Sequence, residues 1–534
     1  MTSSGTGTRA LPLAAIAAWG AVLVLAPPES NHAWAVNGLR SAPLAAIAAA
    51  AFLAAVAALA ALRPRLEPWA VGALALALAF PLRERAHLLG DTALRHRLLE
   101  VLADPSATIL STGALARTLH SQPLDAFGSV TIPVALSRLG VPAGLAVAIL
   151  GALLFLFLHA GVRRALADAP PALATALAVA VWLSGLLQLY AGYADGWPLT
   201  LAVAAWWWWS LDRPHPSPAH AALPAALWLA LVLGHRIGWV MLAPMAWRAL
   251  APARAGDGTR ARAGLAGATL AAAALAVALA GASGGSKLPQ DFADLAATIA
   301  GRSGPRLVPA WDLINLVLLV APLALLAPAL AGAGARAACA RSPGALLVAA
   351  ALLPMLPMLV LFPVAPHGLG AHRDWDLAAL PALLASLAAA RLLALAGEAR
   401  ARRALWLAIP LLALQAGGWL AVNADAAAGE RRAVALVDGP AALRGEQASH
   451  AHVLLAYRAA GLRRFGESAR RFERSAQVLP NPRHELLASQ AWLAAEDLGR
   501  ARAAYERALA HAPLPPDVQR TAEIVRDLLA QPRP

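Results

Sequence analysis

Ala221–Leu250 reads AALPAALWLALVLGHRIGWVMLAPMAWRAL, apolar throughout except for His235-Arg236, after Gly234, and Arg248 near its end. It can cross a bilayer once as a long tilted span, or twice as a hairpin of two short helices, Ala222–Gly234 and Ile237–Leu250. The choice fixes which loops share a side. Short cytoplasmic loops carry an excess of Lys and Arg. With the hairpin, Arg63/Arg65, Arg163/Arg164, Arg213, Arg248/Arg254/Arg260/Arg262, Arg336/Arg341 and Arg400/Arg402/Arg403 all fall on one side. With a single span the later clusters change sides. The hairpin is therefore the reading adopted. It puts loops 82–140, 191–196, 234–236, 283–312 and 364–374 on the opposite, outer face with the C-terminal tail.

Apolar residues make up 59% of the 534 residues and charged residues 14%, against about 45–50% and about 25% in soluble domains. Lipid has to cover the excess. Stretches such as Pro43–Leu62, Ala263–Ala282 and Pro343–Phe362 reach the ~20 residues that span a hydrocarbon core. About thirteen apolar segments are expected, the others being Leu11–Pro27, Trp69–Leu82, Val141–His159, Ala172–Tyr190, Trp197–Leu211, the two hairpin arms, Leu313–Ala331, Trp375–Ala396 and Leu405–Val422. Leu11–Pro27 lacks a strongly charged leader and reads as a retained anchor. The net charge of +14 lies mostly in short loops rather than in a phosphate-tracking patch, so no nucleic-acid partner is expected. Cys339 is the only cysteine, which excludes a disulfide framework and a cysteine metal cage.

From Ala424 the pattern becomes amphipathic helix. Ser468-Ala-Arg-Arg-Phe472-Glu-Arg474, then Pro480, is echoed 33 residues later by Ala501-Arg-Ala-Ala-Tyr505-Glu-Arg507, then Pro513. This resembles tetratricopeptide repeats, helix pairs that stack about every 34 residues. Two units fit where about three make an independent array, so the tail is expected to lean on the membrane part or on another chain. A generic helical hairpin is the alternative.

Ionisable residues at the ends of membrane spans are functional candidates by default. Four groups stand out on the outer face. Arg83-Glu-Arg85-Ala-His87-Leu-Leu-Gly90-Asp91 follows the third segment, and its carboxylate can act as a general base or help hold a divalent cation. Tyr193-Ala-Asp195-Gly-Trp197-Pro198-Leu199 sits at a helix start, where Asp195 is either functional or a cap. Gly234-His235-Arg236 is a cationic tip suited to an anion, or a snorkelling arginine. His367 to Leu377 carries His372, Arg373, Asp374 and Asp376, a set that matches no metal-ligand spacing; an interfacial anchor at Trp375 is its alternative. Trp206 to Trp209 read as an interfacial aromatic belt. No phosphate-cradling glycine loop, nucleophile elbow or zinc-protease motif occurs.

The order of these features across Trp69–Ala282 resembles the polytopic GT-C glycosyltransferases, the class of the protein mannosyltransferases and the aminoarabinose transferases of lipid A. In that class an acidic motif follows a span on the first outer loop, a second acidic residue precedes Pro-Leu, and a Lys-containing break divides two short helices. By resemblance Asp91 matches the first, Asp195 the second, and His235 falls at the lysine. Thr92 and His235-Arg236 depart from the pattern.

The resemblance implies an all-α membrane helix bundle with a small tetratricopeptide-like tail, divided into 1–68, 69–282, 283–423 and 424–534. It implies transfer of a sugar from a polyprenyl-phosphate donor to a protein, lipid or glycan acceptor at the periplasmic face. Asp91 and Asp195 would be catalytic. His235, Arg236, Arg83 and Arg373 would hold the donor phosphate, and His87, His372, Asp374 and Asp376 would contact the acceptor. A divalent cation is the one cofactor the reading admits. The Ala-, Arg- and Leu-rich composition suggests a GC-rich genome, hence a bacterial inner membrane, with the N-terminus cytoplasmic. A non-enzymatic scaffold recruiting envelope proteins through the tail is the alternative, and a transporter a further one.

Overall fold

The computed structural model describes residues 7–26, 33–88, 92–103, 122–252, 255–258, 260–282, 310–361, 371, 374–439 and 445–531. Among the described residues the regular elements are all helical, with no strand. Five helices are long and apolar enough to cross a membrane: Pro43–Leu62, Ala143–Ala165, Ala261–Leu279, Trp375–Leu395 and Glu398–Ala424. Two bent pairs bring the number to seven if each is one span, Ala310–Val320 with Pro322–Ala331 at 81° and Ala333–Ala340 with Pro343–Leu356 at 73°.

The thirteen expected segments therefore do not become thirteen membrane-length helices. Proline is one reason. Pro322 and Pro343 each open a new helix, because a proline fits the first turn but cannot continue the helix before it. Short helices are the other. Trp69–Leu82 contracts to Glu67–Ala79, 13 residues or about 20 Å long. Ala172–Tyr190 divides into Pro171–Trp182 and the single turn Leu187–Tyr190.

The hairpin forms as expected. Pro218–Gly234 ends at His235, and a 3-10 turn, Arg236–Met241, leads into Leu242–Leu250. Trp228 Nε1 donates to the Gly238 carbonyl at 2.9 Å, folding the 3-10 turn back against the first arm. At the far end Gly258 N–H donates to His215 O at 2.9 Å, and Arg248 pairs with Asp257 at 2.7 Å, so the chain returns to its starting side. One end of the bundle thus gathers the arginine clusters; the opposite end gathers the loops around Glu84, Asp195, His235 and Asp376.

The longest helix, Glu398–Ala424, packs along Pro43–Leu62 closely enough that a Cβ on Gly417 would lie 2.5 Å from Ala50 N. Tryptophans fill the core. Trp207 and Trp208 are fully buried, which corrects the reading of Trp206 to Trp209 as a belt. Four successive helical residues, 100° apart, cannot all face lipid. Trp206 stacks on Phe157, and Trp209 lies under Arg213.

The tail is built of the helices Gly445–Gly461, Phe465–Val478, Pro482–Ala494, Leu498–Leu509 and Pro516–Ala530, each packed on the next. Phe472, Trp492, Ala501 and Ala504 lie in their shared core. The tail does lean on the bundle. Arg458 donates to the carbonyls of Arg85 (3.0 Å) and Ala86 (2.8 Å), and Leu88 packs among Val437, Ala448 and Leu455.

Between bundle and tail, the helix Ala426–Asp438 is pinned by Arg432. Its Nε donates to Asn37 Oδ1 at 3.0 Å, it donates to Trp34 O, and its guanidinium lies 4.6 Å from the Trp419 ring centre. Arg432→Ala leaves both acceptors without their donor and should lower the unfolding free energy by about 2–3 kcal/mol, read by denaturation in neutral detergent. Arg432→Lys should recover only part of that loss, since an ammonium cannot fork to two acceptors and stack.

Candidate functional site

Four segments meet at the tail-bearing end of the bundle. The helix Thr92–Ala103 supplies Arg95 and His96, and the helical run after Gln122 supplies Asp125 and Ser129. The turn before Trp197–Asp212 supplies Tyr193 and Asp195, and the 3-10 turn Trp375–Ala378 supplies Asp376.

Arg95 is the hub. It lies 3.0 Å from an Asp125 oxygen and 3.3 Å from Asp195 Oδ1, so one guanidinium bridges two carboxylates. All three side chains are nearly inaccessible to solvent, at 7%, 0% and 8% exposure. Burial on this scale is tolerated only where the ions are paired and further hydrogen-bonded. Ser129 Oγ meets that demand by accepting from Arg95 at 3.0 Å and donating to Asp125 Oδ1 at 2.6 Å. Gly196 makes the close approach possible, because a Cβ there would lie 2.6 Å from Asp125 Cγ. Asp195 is not the helix cap. Gly196 holds that position, and Asp195 Oδ1 instead accepts the Gly196 N–H at 2.6 Å.

Tyr193 O–H donates to Asp376 Oδ2 at 2.7 Å. Burial first, and then the negative charges of Asp376 and Asp195, push the phenol well above its usual range, so it remains a donor. His235 stacks on Trp197 at 4.2 Å between ring centres, and its Nδ1 accepts the Ile237 N–H at 3.2 Å. Burial, with help from Arg236 and Arg95, pulls its imidazole down to about 3. The expected tip thus owes its charge to Arg236, while His235 is a neutral ring with its proton on Nε2.

Beside this hub lies a second buried group. Gln188 Nε2 donates to Glu84 Oε2 at 3.3 Å, and Glu84 N–H donates to Ala191 O at 2.6 Å. The His87 and His96 rings lie 3.9 Å apart. Burial pulls His96 down to about 4 and His87 well below its usual value, and it pushes the Glu84 carboxyl up to about 8. Near neutral pH the two histidines are uncharged and the Glu84 carboxyl is mostly protonated.

A cavity of about 20 Å³ adjoins the hub. Asp125, Ser129, Tyr193 and Asp195 form its polar lip, while Pro133, Val147, Leu150, Leu154 and Leu199 form an apolar wall.

Of the expected residues, Asp195, His235 and Asp376 converge on Arg95 and Tyr193, while Arg83 and His87 belong to the neighbouring group. Arg236 opens the turn after His235, and Asp374 precedes the turn that carries Asp376. Asp91, His372 and Arg373 lie outside the described residues, as does the loop 283–309. Arg95, Asp125, Ser129 and Gln188 were not anticipated. Their available signal is faint: a charged Arg95-His96 pair in an otherwise unremarkable loop, and Asp125 with Ser129 four residues on. Among the described residues no three His, Cys, Asp or Glu side chains group as metal ligands. No family model, curated protein or solved structure matches the chain.

Glu84 gives a test of the neutral group. Its folded-state value of about 8 exceeds the ordinary 4.5, so above the ordinary value the unfolded chain releases a proton that the folded chain keeps. Stability should therefore fall as pH rises towards 8 and level off above it, by at most ~1.4 kcal/mol per pH unit. Taken as the difference between Glu84→Gln and wild type, in which the histidines still titrating in the unfolded chain near pH 6.5 cancel, the variant should gain in relative melting temperature as pH rises from about 5.5 to 8 and hold that gain above it. An unchanged difference would show that Glu84 is ionised in the fold.

Proposed function

We propose that the protein is a membrane glycosyltransferase of the GT-C type, moving a sugar from a polyprenyl-phosphate donor to an acceptor on the tail-bearing face. The observation that carries this reading is the cavity beside Arg95. A polar lip of two carboxylates, a serine and a phenol passes directly into a wall of aliphatic side chains on the helices Ile132–Arg138 and Ala143–Ala165. At about 20 Å³ it has room for about one water molecule, so what supports the reading is the meeting of polar and aliphatic side chains there, not a groove of substrate size.

In the proposed reaction an acceptor hydroxyl gives its proton to a carboxylate, and its oxygen bonds to the anomeric carbon. The bond from that carbon to the phosphate oxygen breaks, and the electron pair leaves on the polyprenyl phosphate. Asp91 is the base by its place in the motif, and Asp195 orients the acceptor or shares that role. Arg236 and Arg83 stabilise the departing phosphate with Arg373, and His235 contributes a neutral N–H rather than a charge. Asp376, Asp374, His372 and His87 lie on the acceptor side. The tail is a tetratricopeptide-like module in the periplasm that presents the acceptor, and the membrane is the bacterial inner membrane. A divalent cation near the carboxylates belongs to this reading as an option to be tested by chelation.

A scaffold is the second reading, favoured by the two helix pairs of the tail, which offer a docking surface in either case. Reconstituted protein supplied with a panel of polyprenyl-phosphate monosaccharides separates the two, with free polyprenyl phosphate as the readout. The wild type should release it. Asp91→Asn and Asp195→Asn should each slow release on the order of 10²–10⁴-fold while the melting temperature shows an intact fold. Full turnover by Asp91→Asn sinks its assignment as base. No donor consumed across the panel by wild-type protein sinks the enzymatic reading and leaves the scaffold.

A further inference from the structure

The arginine-bearing end of the bundle holds few carboxylates, and most are already engaged. Glu67 takes Arg163 and His159, Asp212 takes Arg391, and Asp257 takes Arg248. Glu398 takes Arg402 at 2.7 Å. Several exposed arginines therefore have no carboxylate partner among the described residues.

Two of them converge on one spot. The helix Pro322–Ala331 ends at Gly332, and its last carbonyls form the negative end of the helix dipole. Arg336 donates to Pro328 O at 2.7 Å, and Arg400 Nε donates to Leu330 O at 3.0 Å. Gly332, at φ +87°, leaves the room: a Cβ there would lie 2.6 Å from the Arg400 guanidinium. Each guanidinium spends one N–H on a carbonyl, and both arginines are exposed, so their remaining N–H groups are open to a ligand. Arg403 follows on the Glu398–Ala424 helix, and Trp406, 54% exposed, lies one turn beyond it.

The rest of this end has the same pairing of cation and ring. Trp69, 78% exposed, stands one turn beyond Arg65. Trp247, 44% exposed, sits on the helix whose final carbonyls, Ala249 and Leu250, accept from Arg262. Exposed indoles settle at the level of lipid headgroups, and arginine reaches past them to phosphate.

We propose that Arg336, Arg400 and Arg403, with Trp406 beside them, bind the phosphate of an acidic phospholipid. The two forks match the two free oxygens of a phosphodiester, and Trp406 lies against the glycerol and upper acyl chain. A choline headgroup brings its own cation and forfeits much of the attraction. The site lies at the end of the bundle opposite the carboxylate cluster and stands independently of any transfer reaction.

The test uses the full chain in neutral detergent, with phosphatidylglycerol and phosphatidylcholine of identical acyl chains, read by native mass spectrometry. Phosphatidylglycerol should be retained on the wild type and lost as salt is raised. Arg336→Ala/Arg400→Ala should weaken retention about thirtyfold, at roughly a kilocalorie for each arginine. Arg336→Lys/Arg400→Lys should keep part of it. If the alanine variant does not fold, Trp406 gives a second reading in wild-type nanodiscs. Brominated phosphatidylglycerol should quench more of the fluorescence that Trp406→Phe removes than brominated phosphatidylcholine does. Equal retention of the two lipids, equal quenching, or displacement of the lipid by inorganic phosphate at matched ionic strength would overturn the proposal.

Discussion

An ionised side chain at the centre of a hydrocarbon layer costs ~2.5–3.5 kcal/mol even on the lenient scale of cellular insertion, and the architecture follows from how the chain avoids that cost. The apolar helices carry almost no charge along their length, and ionisable groups collect at two ends that differ in kind. One end is nearly all arginine, with its carboxylates paired off. The other mixes both signs in buried contact. The instructive exception is Glu67. It is drawn into the bundle but met from three directions, by His159 at 2.9 Å, Arg163 at 2.8 Å and Thr175 at 2.7 Å. Trp182 donates to His159 Nδ1 at 3.1 Å, which leaves the Nε2 proton for Glu67. A carboxylate can enter so apolar a bundle only when its neighbours replace its water.

The same requirement joins the tail to the membrane part. The segment Glu84–Leu88 has little regular structure of its own, and its backbone carbonyls need donors. Arg458, from the tail, serves Arg85 O and Ala86 O, while Glu430 holds the same guanidinium at 3.1 Å. The N–H groups of Arg85 and Ala86 donate to Asn423 O, at the end of the longest helix. His87 follows with φ at +51°, a conformation that a non-glycine residue adopts only when its surroundings impose it. The tail thus helps to shape the loop that carries Arg83, Glu84 and His87.

How much of this the sequence discloses depends on the range of the interaction. Hydropathy and loop charge are local sums, and they give the membrane class, the hairpin at Gly234-His235-Arg236 and the two-ended topology. Helix length is less legible, since a proline such as Pro322 ends one helix and starts another without interrupting the apolar run. The hub was out of reach for a different reason. Arg95, Asp125 and Asp195 lie 30 and 70 residues apart along the chain, and no periodicity links them; only the closure at Gly196 brings the carboxylates to the guanidinium. His235 shows the converse error. A histidine beside an arginine reads as a cation in a string of letters, but burial against Trp197 takes its charge away.

That loss of charge bears on how a phosphate could be received. Arg95 already bridges two carboxylates, Asp125 and Asp195, so the hub is poorly suited to receive an anion. Glu84, protonated, and the two neutral histidines beside it contribute no charge of their own. Two expected cations have described positions at this face, Arg236 at the hairpin tip and Arg83, whose stem packs on Gly192. On the glycosyltransferase reading the phosphate therefore belongs on the Arg236 and Arg83 side, and the acceptor hydroxyl on the Asp195 side. The sugar would lie between them. Opposite charges at the two ends of the reacting group are what the proposed bond exchange needs, since negative charge builds on the departing phosphate while the acceptor loses a proton.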